Sequence, residues 1–184
     1  MKNNNHKILL VAILVLLAVV CRVAGAATST YNFAPLVAIG LLSGAIIKDL
    51  KTALIVALLG QFLADVYFQI FPTAVNYGFY GISQFFTYGG LIAAALIGSA
   101  MKKINGVNVV LYTLGASVAF FLISNLGYFV QGWNGYSGAA FVKTYVDALP
   151  FFKNSLIGDM TGSVVLFGMY FAAKAVFSKK LQAA

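Results

Sequence analysis

The sequence predicts an all-α integral membrane protein of six transmembrane helices, and three observations carry that prediction. Hydrophobic residues make up 61% of the 184, charged residues only 9%, and the mean hydropathy is +0.93. A soluble domain carries about 25% charged residues to cover its surface, so this chain must have lipid as its solvent. The apolar residues are gathered into runs at 8–27, 31–47, 52–71, 82–101, 107–130 and 154–177, and a helix needs about 20 residues to cross a ~30 Å hydrocarbon core. With the N-terminus inside, nine lysines (Lys2, Lys7, Lys48, Lys51, Lys102, Lys103, Lys174, Lys179 and Lys180) fall on the cytoplasmic side and two, Lys143 and Lys153, on the other. The positive-inside rule then predicts a multi-pass protein of the cell membrane with both termini cytoplasmic.

The first run follows a polar cap carrying Lys2, His6 and Lys7. Lys7, the apolar stretch and Ala24-Gly25-Ala26 imitate a secretory signal peptide with its cleavage site. The run is nevertheless as long as a span and five more follow, so it is kept as helix 1. Cys21 within it is the only cysteine, which excludes an intramolecular disulfide; Val20 is a poor residue before a lipid-modified cysteine. The second run is the shortest and opens at Ala34-Pro35, where proline suits a first helical turn. The third carries Asp65. The fourth carries Gln84 and Tyr88, one turn apart on one face. The fifth carries Asn125 near its end. Residues 131–153 then form a long polar loop, and the sixth run opens at Asn154, a good N-cap, five residues before Asp159. Loops of that length usually gate or bind something.

The +8 net charge is dispersed as short basic pairs between apolar runs, a topology signal rather than a phosphate-binding face, so no nucleic-acid partner is expected. Intramembrane charges are costly and usually have a partner or a task. A rise of ~1.5 Å per residue puts Arg22, Asp65 and Asp159 all about 20 Å above the cytoplasmic side. That shared depth predicts a cluster in which Arg22 lies within salt-bridge reach of Asp65, Asp159 or both, since a guanidinium fork can serve two carboxylates at once. More polar and aromatic groups gather at or above that level, in a bowl open to the outside over an aliphatic base. The predicted pocket lies among helices 1, 3, 5 and 6 under the 28–33 and 131–153 segments. Arg22, Asn32, Asp65, Gln84, Tyr88, Asn125, Asn154 and Asp159 are its candidate contacts to a small-molecule substrate, and Phe33, Trp133 and Tyr136 its aromatic cover. The plainer alternative makes Trp133 and Tyr136 interface anchors and the Arg–Asp cluster a tie between helices. No cofactor or metal is expected.

Arg22, Tyr31-Asn32-Phe33-Ala34-Pro35, Asp65, Ser124-Asn125-Leu126-Gly127 and, most specifically, Pro150-Phe151-Phe152-Lys153-Asn154-Ser155-Leu156-Ile157-Gly158-Asp159 resemble an uncharacterised bacterial family of small inner-membrane proteins labelled as candidate transport proteins. That family in turn resembles the substrate-binding S components of energy-coupling factor (ECF) vitamin transporters. The resemblance implies an S-component-like six-helix bundle, a ligand pocket near the extracellular side, and partnership with ECF-type coupling and ATPase subunits. Such subunits would be needed for ATP-driven uptake, since the chain has no P-loop. The Ala-x-x-x-Ala docking pattern of S components is missing from helix 1, where Ala12 is followed four residues on by Leu16 and Ala18 by Arg22.

Two other classes compete with a transport subunit. Paired intramembrane aspartates suggest an aspartyl intramembrane protease, but the Gly-x-Gly-Asp motif fails, with Leu156 before Gly158-Asp159, and no catalytic residues are expected. The alternative is an accessory or assembly protein without a small-molecule ligand.

Overall fold

The computed structural model describes residues 4–28, 34–47, 49–72 and 78–182. Among them are six helices and no strand: α1 (Asn4–Ala27), α2 (Leu36–Ile46), α3 (Leu50–Ile70), α4 (Ile82–Ser99), α5 (Gly106–Val130) and α6 (Gly138–Gln182). All but α2 are long and apolar enough to cross a membrane. The 11 residues of α2 extend about 16 Å, half of a ~30 Å core. The second apolar run therefore yields a half-length helix rather than a full span, with Pro35 at its N-cap.

Three helix starts are capped by side chains. Asp49 accepts from the Thr52 amide at 3.3 Å and from the Thr52 hydroxyl at the head of α3. These bonds, Thr52 foremost and Lys7 adding to it, hold the exposed Asp49 carboxyl below the usual carboxylate range. Asn105 accepts from the Asn108 amide at 2.9 Å at the head of α5. The Ser137 hydroxyl accepts from the Ala140 amide at 3.1 Å at the head of α6.

That last cap corrects the sequence reading. The expected 131–153 loop shrinks to residues 131–137, because α6 begins at Gly138 and runs on through Pro150. Asn154 lies exposed inside the helix and opens nothing. An interior proline costs about 3 kcal/mol through its missing N–H and its ring. Packing on both sides of Pro150 offsets this. Phe141 stacks edge-on to Phe129 at 5.2 Å, and Phe121 lies 5.8 Å from Tyr145 and 4.5 Å from Phe152. The Tyr145 hydroxyl also donates to the Leu122 carbonyl at 2.9 Å. Aromatic pairs contribute roughly 0.5–1.5 kcal/mol each beyond their burial, enough together to carry a helix across one proline.

The short α2 is the hub. It packs against all five other helices, and its residues Val37 to Gly44 are buried without a break. Around it the order is α1, α3, α4, α5, α6, each touching the next; the ring stays open between α6 and α1, which do not pack on each other. Two glycines set the α2–α4 distance, since a Cβ on Gly44 would run into the Ala95 carbonyl and one on Gly98 into the Leu41 carbonyl. The core they close holds Ile39, Leu41, Val56, Leu91 and Phe167. The outer faces are apolar and bare, as with Ile8, Leu16, Val107 and Val164, which suits lipid rather than water.

The two ends of the bundle differ. At one, Lys7 pairs with Asp49 at 3.4 Å and the Tyr112 hydroxyl donates to the Ala100 carbonyl at 3.3 Å; Lys51, Lys102 and Lys103 lie beside these residues in sequence. At the other, the Ser83 amide donates to Gln131 at 3.0 Å. Successive helices thus alternate in direction between a lysine end and an opposite end.

Candidate functional site

Five side chains from three helices meet toward the opposite end. Asp65 of α3 is fully buried, and its carboxylate accepts from Nη1 of Arg22 on α1. Gln61, one turn earlier on α3, donates Nε2 to both Asp65 oxygens at 3.1 and 3.3 Å. From α4, Gln84 Nε2 donates at 3.0 Å and the Tyr88 hydroxyl at 2.7 Å. Arg22 Nη1 also donates to the Gln61 carbonyl at 3.4 Å, and the guanidinium lies 5.4 Å over the Phe68 ring. The phenols of Tyr80 and Tyr128 stand within electrostatic reach of Arg22. An ionised carboxylate in an apolar interior needs such company, because unpaired burial of the charge costs many kcal/mol. Gln61 must turn its amide nitrogen to Asp65, which leaves its Oε1 sealed in without a partner among the described residues.

A second network lies around Asp159. Ser117 of α5 donates to Asp159 Oδ2 at 2.9 Å, and one turn along, Thr113 donates to Ser163 at 2.8 Å. The backbone amides of Val37 and Ala38, in the first turn of α2, also face the Asp159 carboxylate. Pro35 gives α2 no side-chain cap, so Asp159 reaches across from α6 to take donors that the helix start leaves over. Ser117 is 11 residues into α5, about 17 Å from its start at ~1.5 Å per residue. The head of α2 therefore sits near mid-height of the bundle.

Arg22 thus meets Asp65, one of the two partners its depth allowed, while Asp159 stands in a separate network that shares no partner with it. Helical rise fixes height along the bundle but not position around it. Asp65 lies on the α1–α3–α4 side of α2, and Asp159 between α2, α5 and α6.

The remaining candidates lie elsewhere. Asn125 turns back on its own helix, donating to the Phe121 carbonyl at 2.8 Å. Asn154 is exposed. Trp133 and Tyr136 are 70% and 72% exposed, edge-on to Tyr128 and Phe129 respectively, the disposition of an interfacial aromatic belt. Asn32 and Phe33 lie outside the described residues, as does most of the 28–33 roof segment. Where the ring is open, a cleft of about 350 Å³ runs between Leu17, Cys21 and Ala24 of α1 and Thr161, Gly162 and Leu166 of α6, beside Pro35. It is chiefly apolar, unlike the polar pocket expected among helices 1, 3, 5 and 6. Among the described residues, no group of His, Cys, Asp or Glu could hold a metal ion.

Gln61 and Ser117 were not among the sequence candidates, though both carry a readable signal. Gln61 precedes Asp65 by one turn, and Thr113 precedes Ser117 by one turn, so each pair shares a helix face. Tyr80 and Tyr128 carry no such signal.

A family model described as a family of unknown function (DUF6580) matches residues 2–181. No curated protein and no solved structure matches the chain.

Proposed function

Because the chain belongs to DUF6580, a family of unknown function, we propose its role from its own residues: a membrane transport subunit, S-component-like, that binds a small metabolite from the extracellular side for uptake. The observation that carries this reading is the half-length α2. Its first turn lies near mid-height, with its amides facing a buried carboxylate, and Ala34 and Pro35 enter it as non-helical backbone. Non-helical backbone at membrane depth is tolerated where it is buried in protein or lines a cavity. Half-helix starts near the midplane are where many transporters place their substrates. The lysine end would face the cytoplasm of the cell membrane. With no P-loop in the chain, energy would come from coupling and ATPase subunits or from an ion gradient.

Purification in mild detergent, followed by mass spectrometry of the extracted small molecules, tests the reading. The wild type is expected to retain a metabolite that an unrelated membrane protein, purified alongside, does not. Asp159→Asn, which alters the group at the head of α2, should retain at least fivefold less while staying folded. If nothing is enriched, and vesicles carrying the protein take up no component of a metabolite extract, transport is wrong. The accessory or assembly reading then takes over. One observation already favours that second reading: Asp65 has all its donors from within the protein and could serve purely to tie α1, α3 and α4 together.

A further inference from the structure

Arg22 is the only arginine in the chain, and the chain has only four acidic residues. All four are engaged with other groups of the protein. Asp49 caps α3 and pairs with Lys7, Asp147 pairs with Lys143, and Asp159 serves Ser117 and the head of α2. Asp65 does meet Arg22, but only through Nη1, while Gln61, Gln84 and Tyr88 supply its other bonds. The contact is therefore one-sided. Nε and Nη2, the edge of the guanidinium that binds carboxylates and phosphates with two parallel bonds, donate to nothing among the described residues. That edge is not sealed away. Gln61 Oε1 is the single side-chain polar atom closed in without a partner among the described residues, whereas the Arg22 side chain keeps 17% exposure.

A guanidinium edge without an acceptor at this depth is costly, and no carboxylate of the chain is left to meet it. We propose that the Nε–Nη2 edge of Arg22 binds an oxyanion from outside the chain, the carboxylate of a small solute. The Phe68 ring under the guanidinium gives such a group an aromatic wall, and the phenols of Tyr80 and Tyr128 interact electrostatically with Arg22. The inference rests on the transport reading and adds to it the substrate class, a small carboxylate. A lipid phosphate would offer Arg22 the same chemistry, and the experiment separates the two sources.

The full chain in phosphatidylcholine nanodiscs would be melted with benzoate and with benzamide, its uncharged counterpart. Benzoate should raise the melting midpoint at concentrations at least tenfold lower than benzamide, since a hydrogen bond to a charged group changes affinity by about tenfold or more. Arg22→Lys keeps a point charge for Asp65 but loses the fork, and should erase that preference. As the only arginine, Arg22 also reports directly in the wild type. Modification by phenylglyoxal, followed by mass, should be slowed by benzoate and not by benzamide, which decides the matter even if the lysine variant does not fold. Equal effects of the two compounds, or a lysine variant that keeps the preference, overturn the proposal. So does a midpoint that responds only to replacing zwitterionic phosphatidylcholine by anionic phosphatidylglycerol, because the edge then reads an anionic lipid headgroup. A metabolite retained equally by wild type and Arg22→Lys would remove Arg22 from the site and leave transport standing. The absence of any retained metabolite, with no benzoate protection, would end both.

Discussion

Asp65 and Asp49 each meet one basic side chain, yet their surroundings make the two pairs unequal. Asp49 and Lys7 are both about half exposed, at 49% and 44%, so water and salt screen them and the tie contributes little. Asp65 is fully buried, with Arg22 17% exposed beside it. Removing one partner of a buried pair typically costs about 3–5 kcal/mol. Here the lower end is expected, because Gln61, Gln84 and Tyr88 would go on solvating Asp65 after Arg22 is gone. Arg22→Ala should therefore lower the melting midpoint in detergent clearly, and Lys7→Ala should barely move it. Equal effects of the two would show that the buried network does not hold α1 to α3. The sequence revealed half of this network. The cost of a lone charge in lipid pointed from Arg22 to a carboxylate partner, and depth admitted both Asp65 and Asp159. Position around the bundle decides between them, and it is set by which helices touch α2.

At the scale of elements, five of the six helices were legible as apolar runs, because a span must be long and uninterrupted. The two departures arise where short-range signals compete with packing. The second run offered 17 residues at 31–47, but α2 keeps only 11 of them, at the centre of the ring. The start of α6 was misread because Asn154 is a plausible N-cap, while the Phe141, Tyr145 and Phe152 contacts to α5 that carry the helix through this stretch are long-range. The capping roles can be separated by substitution. Ser137→Ala removes the acceptor of the Ala140 amide and should cost about 0.5–2 kcal/mol, seen as faster amide hydrogen exchange over residues 138–141. Asn154→Ala, at an exposed position inside the helix, should leave exchange across 151–158 unchanged or slower, since alanine is the better helix former. Faster exchange there would mean that a second helix start exists at Asn154 after all.

For the whole molecule, the unequal distribution of charge and of buried polar groups describes one axis. Lysines gather where α1, α3 and α5 begin, and the Arg22–Asp65 network, the short 131–137 link and the aromatic belt of Trp133 and Tyr136 lie toward the other end. The positive-inside rule would orient that axis with the lysine end in the cytoplasm, and the uptake proposal depends on that orientation because the Arg22 edge must be reached from outside. Gly106 and Asn134 are suitable reporters. Gly106 opens α5 beside Lys102 and Lys103, and a Cβ there would meet nothing. Asn134 is exposed at the other end, its side chain donating to Thr144 at 3.1 Å. In a Cys21→Ala background, which clears the only native thiol, a membrane-impermeant maleimide added to intact cells should label Asn134→Cys and leave Gly106→Cys untouched until the cells are opened. Labelling of Gly106→Cys from outside, with Asn134→Cys protected, would put the polar networks on the cytoplasmic side. A substrate would then reach Arg22 from within the cell, and the same residues would argue for release or export rather than capture.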